Sequence, residues 1–114
     1  MVILPWFDTI LSPNYRAHWG KKNKPRKVQR ELGYYLALEA GCPPEQDTYH
    51  LSIIFYPPDD RHRDLDNCLA SIKAALDGIA DAWHVNDKQF RPITIDFGDV
   101  KAPSKISIEV LTTP

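Results

Sequence analysis

Two short polar runs hold the residues of this 114-residue chain best suited to chemistry: Arg63-Asp64-Leu65-Asp66-Asn67, and a second cluster, His84, Asn86, Asp87 and Lys88. In an extended segment residues i and i+2 point to the same side, so Asp64 and Asp66 can present two hard oxygen ligands to one cation such as Mg²⁺. The competing reading is structural. Asp66 would be the N-cap of a following helix, and Asp64 a charge favoured by the helix dipole. That helix is expected because Leu65, Leu69, Ile72, Leu76 and Ile79 recur at helical spacing. A helix of about fifteen residues spans roughly 20 Å at 1.5 Å per residue, so the chain after it must double back if Asp87 is to join the first pair.

The elements that would position these groups are legible from periodicity and breakers. Val2 to Trp6 reads as a short strand, Asn14 to Pro25 as a basic loop, and residues from about Arg26 to Ala40 as a helix with Val28, Leu32, Tyr35 and Leu36 on its apolar face. Gly41 ends that helix and Pro43-Pro44 prevents its continuation. Thr48 to Tyr56 alternates as a strand with Tyr49, Leu51, Ile53 and Phe55 on one side. Two later alternating runs, Ile93-Ile95-Phe97 and Ile106-Ile108-Val110, suggest strands joined by a hairpin through Gly98 to Ser104. The expectation is one small α+β domain over 1–114, a mixed β-sheet with two main helices on one face.

Charge is distributed unevenly. Seven of the chain's 14 Lys and Arg fall between Arg16 and Arg30, in a stretch with none of its 15 Asp and Glu. Arg16, Lys21, Lys22, Lys24, Arg26 and Lys27 could meet a nucleic-acid backbone there, with Tyr15 and Trp19 interleaved for stacking on exposed bases. A solvated basic loop is the plainer alternative. Cys42 and Cys68 lack metal-ligand spacing, no two histidines stand at i and i+4, and neither a phosphate loop nor a nucleophile elbow is found. Zinc chemistry, nucleotide cofactors and acyl transfer therefore find no support. No apolar stretch is long enough to span a membrane and no secretion signal opens the chain, so a cytoplasmic protein is expected.

Three ordered motifs together resemble the RusA family of Holliday-junction resolvases, known mainly from bacteria and their prophages. These are Leu4-Pro5-Trp6 with Ser12-Pro13-Asn14-Tyr15-Arg16-Ala17-His18-Trp19; Arg63-Asp64-Leu65-Asp66-Asn67 with an apolar helix ending Ala75-Leu76-Asp77-Gly78-Ile79; and Asn86-Asp87-Lys88-Gln89. The resemblance implies a homodimeric endodeoxyribonuclease that resolves four-way junctions by paired nicks in recombination and repair. Asp64, Asp66 and Asp87 would be its catalytic carboxylates, holding Mg²⁺ with Mn²⁺ as a substitute, and Arg63 would contact phosphate. One position departs from the family: a lysine common four residues after the second aspartate is Ala70 here, leaving Lys73 or Lys88 as stand-ins. A solvated Lys73 paired with Asp77 at i+4 is the plainer reading of that residue. The rival functions are a nuclease of broader branched-DNA specificity and a non-catalytic DNA-binding module with helix-capping aspartates.

Overall fold

The computed structural model describes residues 1–13, 15, 19–100 and 102–111, apart from the side chain of Trp19. Within them the chain forms β1 (Val2–Pro5), α1 (Asn23–Ala40), β2 (Tyr49–Tyr56), α2 (Leu65–Ser71), α3 (Lys73–Trp83), β3 (Phe90–Phe97) and β4 (Lys105–Leu111), with single 3₁₀ turns at Thr9–Leu11, Trp19–Lys22 and Asp87–Gln89. The architecture is α+β, as its alternating strands and amphipathic helices require.

Burial alternates strictly along β2, beginning with buried Tyr49, so Leu51, Ile53 and Phe55 form the centre of the core. Ile106 and Ile108 of β4 stand beside Phe55 and Ile53, and Leu4 and Val2 of β1 beside those in turn. Burying alternate side chains on one face this way removes roughly 25 cal/mol per Å² of apolar surface from water, the main force holding the sheet to its helices.

The strand order is β1-β4-β2-β3, with β3 parallel to β2 and β4 antiparallel to both β1 and β2. The expected β3–β4 hairpin is therefore corrected. β2, the strand with a fully buried face, takes a neighbour on each side, and the segment after Gly98 crosses its end, anchored by the Gly98 amide donating to the Phe55 carbonyl at 2.9 Å. β3 is left as an edge strand, where Pro92, without an amide hydrogen, is tolerated.

Helix α1 starts at Asn23, inside the segment read as a loop, with Pro25 in its first turn, where a missing amide hydrogen costs no intrahelical bond. Its buried positions are Gly33 and Ala37, while Val28 and Tyr35 of the expected apolar face are exposed. Small residues decide this packing. A Cβ on Gly33 would strike the Ala75 backbone and one on Gly78 the Arg30 carbonyl, so α1 and α3 approach backbone to backbone. Trp83 locks the far end of that seam by donating its indole N–H to the Ala37 carbonyl at 3.2 Å.

Candidate functional site: a groove along the broken helix

The chain leaves β2 through Pro57-Pro58 and enters the run that carries the carboxylates. Arg63 holds this run in shape: its guanidinium lies 2.8 Å from Asp59 Oδ1, donates to the Asp59 and Arg61 carbonyls at 3.1 Å each, and covers the Trp6 ring at 5.5 Å from its centroid. With its side chain only 15% exposed, Arg63 clamps this loop. The basic side chains exposed in the same run are Arg61 and His62, at 78% and 90%. Backbone N–H donation from Arg61, followed by its side chain and that of Arg63, holds the Asp59 carboxyl below the ordinary carboxylate range.

Asp64, not Asp66, occupies the N-cap of α2, in extended backbone (φ −93°, ψ 130°), and its side chain makes no cap hydrogen bond. Its carboxylate turns instead toward His62, whose Nε2 lies 3.2 Å away, and toward the Asn67 amide, a long contact at 3.4 Å. Asp66 sits in the first turn, exposed, with no hydrogen bond or ion pair to its carboxylate among the described residues. The capping role expected of Asp66 is thus absent. Beneath the run, burial pushes the Cys68 thiol above its ordinary pKa, which suits an inert packed sulfur.

The single helix expected after this run is broken at Ile72 (φ −113°, ψ 13°) into α2 and α3. Gln29 of α1 fills the break: its amide donates to the Ser71 carbonyl at 2.8 Å and accepts from the Ala75 amide at 3.1 Å. Ser71 and Ala75 are i and i+4, so one side chain replaces the backbone bond that a continuous helix would make, a recognised origin of sharp kinks. Sequence reasoning did not find Gln29. Its partners are more than forty positions away, and no local pattern marks it.

Lys73 opens α3 and reaches toward the far end of the helix, 3.0 Å from Asp77 Oδ1 and 2.9 Å from Asp87 Oδ2. Partial burial works to lower the pKa of this ammonium, but the hydrogen bonds it donates to Asp87 and Asp77 outweigh it and the net shift is upward. The Lys73 hydrogen bond, helped by its charge, holds the Asp87 carboxyl below the ordinary range. The i+4 pairing with Asp77 is as the sequence suggested, and the contact with Asp87 adds to it. Lys88 is exposed, and its backbone amide donates to the Asn86 side chain at 2.9 Å within a capping box closed by Gln89.

These residues line three adjoining clefts. The first, about 380 Å³, lies against Asp64, Arg61, His62, Tyr15, Trp6 and Ser71. The second, about 470 Å³, shares Ser71 and adds Lys22, Arg26, Gln29, Lys73 and Asp77. The third, about 310 Å³, shares Asp77 and adds Arg30, Asp81 and Asp87. The groove is this series of clefts along α2 and then α3, adjoining at Ser71 and Asp77. Lys22, Arg26 and Arg30, one helical turn apart, stand along it on the α1 side, and the Arg30–Asp81 ion pair at 2.7 Å ties the two sides together and raises the Arg30 pKa. Lys21, Lys24 and Lys27 are exposed nearby, Lys24 bordering a separate apolar cleft, and Arg16 lies outside the described residues.

The groove separates what the sequence reading joins. Asp64 lines the first cleft and Asp87 the third, and none of the three is lined by both. The chain reverses after α3 at His84 (φ 55°) and the Asn86 cap, but this return carries Asp87 to Lys73 and not to Asp64. Among the described residues no three Asp, Glu, His or Cys side chains are grouped to hold a metal ion, so the side chains as placed do not fit one cation shared by all three aspartates.

Comparison with known proteins finds an uncharacterized protein of Xylella fastidiosa (strain Temecula1 / ATCC 700964), 41% identical over 91 residues, an alignment covering 76% of this chain and 60% of that protein. The chain thus matches less than two thirds of that relative's length. No family model matches the chain. No helix among the described residues is long and apolar enough to cross a membrane.

Proposed function

We propose that this chain is a RusA-like endodeoxyribonuclease selective for branched DNA, above all four-way junctions, working in the bacterial cytoplasm in recombination and repair. The observation that carries the reading is this series of clefts, with exposed carboxylates in the first and last of them and Lys22, Arg26 and Arg30 along the α1 side. A polyanion laid in it would meet cations through its length and acidic groups at points along it. Asp64 and Asp66 are the hard oxygens available to Mg²⁺ or Mn²⁺, while Asp87, held by Lys73, stands outside that pair. The homodimer, which would give paired nicks on opposed strands, rests on the family resemblance.

Incubating labelled four-way junction, matched duplex and single strand with the protein and Mg²⁺ tests the proposal. Paired nicks in the junction alone support it. Equal cutting of flaps and nicked duplexes would point to the broader nuclease. A second reading is a DNA-binding module without hydrolysis, and junction binding without cleavage in either metal would establish it.

A further inference from the structure

We propose that the cleft beside Asp64 is a pocket for an unpaired nucleobase. This deepens the reading above, since it rests on the groove being a DNA path. Two separate segments supply its aromatic walls. Trp6 and Phe7 stack at 4.8 Å between centroids and 28° between planes, and Arg63 over Trp6 steadies that pair. Tyr15, on the far side of the 3₁₀ turn at Thr9–Leu11, lines the same cleft and is 49% exposed. Its backbone amide donates to the Ser12 carbonyl at 3.0 Å.

The ligand that suits these walls has a flat π-face and an anionic backbone. The exposed Arg61 guanidinium and His62 imidazole supply backbone contacts, and Ser71 also lines the neighbouring cleft that holds Lys22 and Arg26. At about 380 Å³ it lies in the range of small-molecule pockets. A paired base inside a duplex cannot offer its face, so the pocket selects DNA in which a base is already out of the stack, as beside a branch point.

Binding in the absence of divalent metal tests the pocket apart from hydrolysis. Fluorescence anisotropy would compare a duplex carrying one extrahelical adenine, the same duplex with an abasic residue there, and the fully paired duplex. Stacking is worth roughly 1–3 kcal/mol per base, so the extrahelical adenine should tighten binding about 5- to 150-fold over the abasic control. Tyr15→Ala should remove most of that preference with paired-duplex affinity unchanged, and Tyr15→Phe should keep it. Equal affinity for the three duplexes overturns the pocket, as does a Tyr15→Ala variant that retains the full preference. The two proposals separate cleanly: base preference without junction cleavage sinks the nuclease alone, and junction cleavage without base preference sinks the pocket alone.

Discussion

The ammonium of Lys73 lies 2.9 Å from Oδ2 of Asp87, across fourteen residues of chain, and so joins the start of α3 to the turn beyond its end. This contact sets the ionisation of both groups. Asp87, favoured as the anion in the folded state, adds stability above the ordinary carboxylate pKa, and that stability is lost as pH falls through its depressed value. Lys73, favoured as the cation, adds stability below the ordinary lysine pKa, lost as pH rises through its elevated value. Replacing Lys73→Met should return the Asp87 titration upward to the ordinary range, read by carboxyl carbon NMR. An unchanged Asp87 titration would show that the pair does not form in solution.

Gln29 makes a prediction about stability. Truncating its amide as Gln29→Leu leaves the Ser71 carbonyl and the Ala75 amide without their partner at a partly buried break, a cost of roughly 1–3 kcal/mol. Urea unfolding should show the midpoint falling with the slope unchanged. A variant as stable as the parent would mean that water or a re-formed helical bond replaces the side chain, and that Gln29 does not set the kink.

Much of the architecture is legible in the sequence because one-residue alternation and helical spacing report burial directly. β2 is the plainest case, where each side chain expected inside is inside. What escapes are the contacts that only tertiary packing creates. The apolar face read for α1 is displaced because Gly33 and Ala37, too small to register as hydrophobic anchors, let the helix backbones touch. The helix break at Ile72 escapes because its cause is Gln29, remote in sequence. The candidate site divides the same way. Asp64, Asp66 and the basic segment stand out by residue type and spacing, whereas the helical start of that segment at Asn23, the Lys73–Asp87 contact and the loop-clamping role of Arg63 depend on how the chain packs.

The basic segment between Arg16 and Arg30 has a salt signature. If about five of the cations between Arg16 and Arg30 meet phosphates, log affinity should fall with log salt at a slope near −4 to −5. Replacing Lys21, Lys22 and Lys24 together by alanine should flatten it by roughly two to three units, measured by anisotropy across a salt series. A slope that does not move would make the segment a solvated surface.

The central claim, that the exposed carboxylates at the head of α2 act in hydrolysis, is tested most directly by Asp66→Asn. The substitution keeps side-chain size and removes one charge, and since the Asp66 carboxylate makes no cap bond among the described residues, folding should be unaffected. Junction cleavage in Mg²⁺ and metal-free junction affinity, measured together on the folded variant, give the answer. Cleavage should collapse, by the hundredfold or more expected for loss of a hard ligand or acid–base group, while affinity holds or improves as repulsion from phosphates is relieved. Cleavage at the parent rate would contradict the claim.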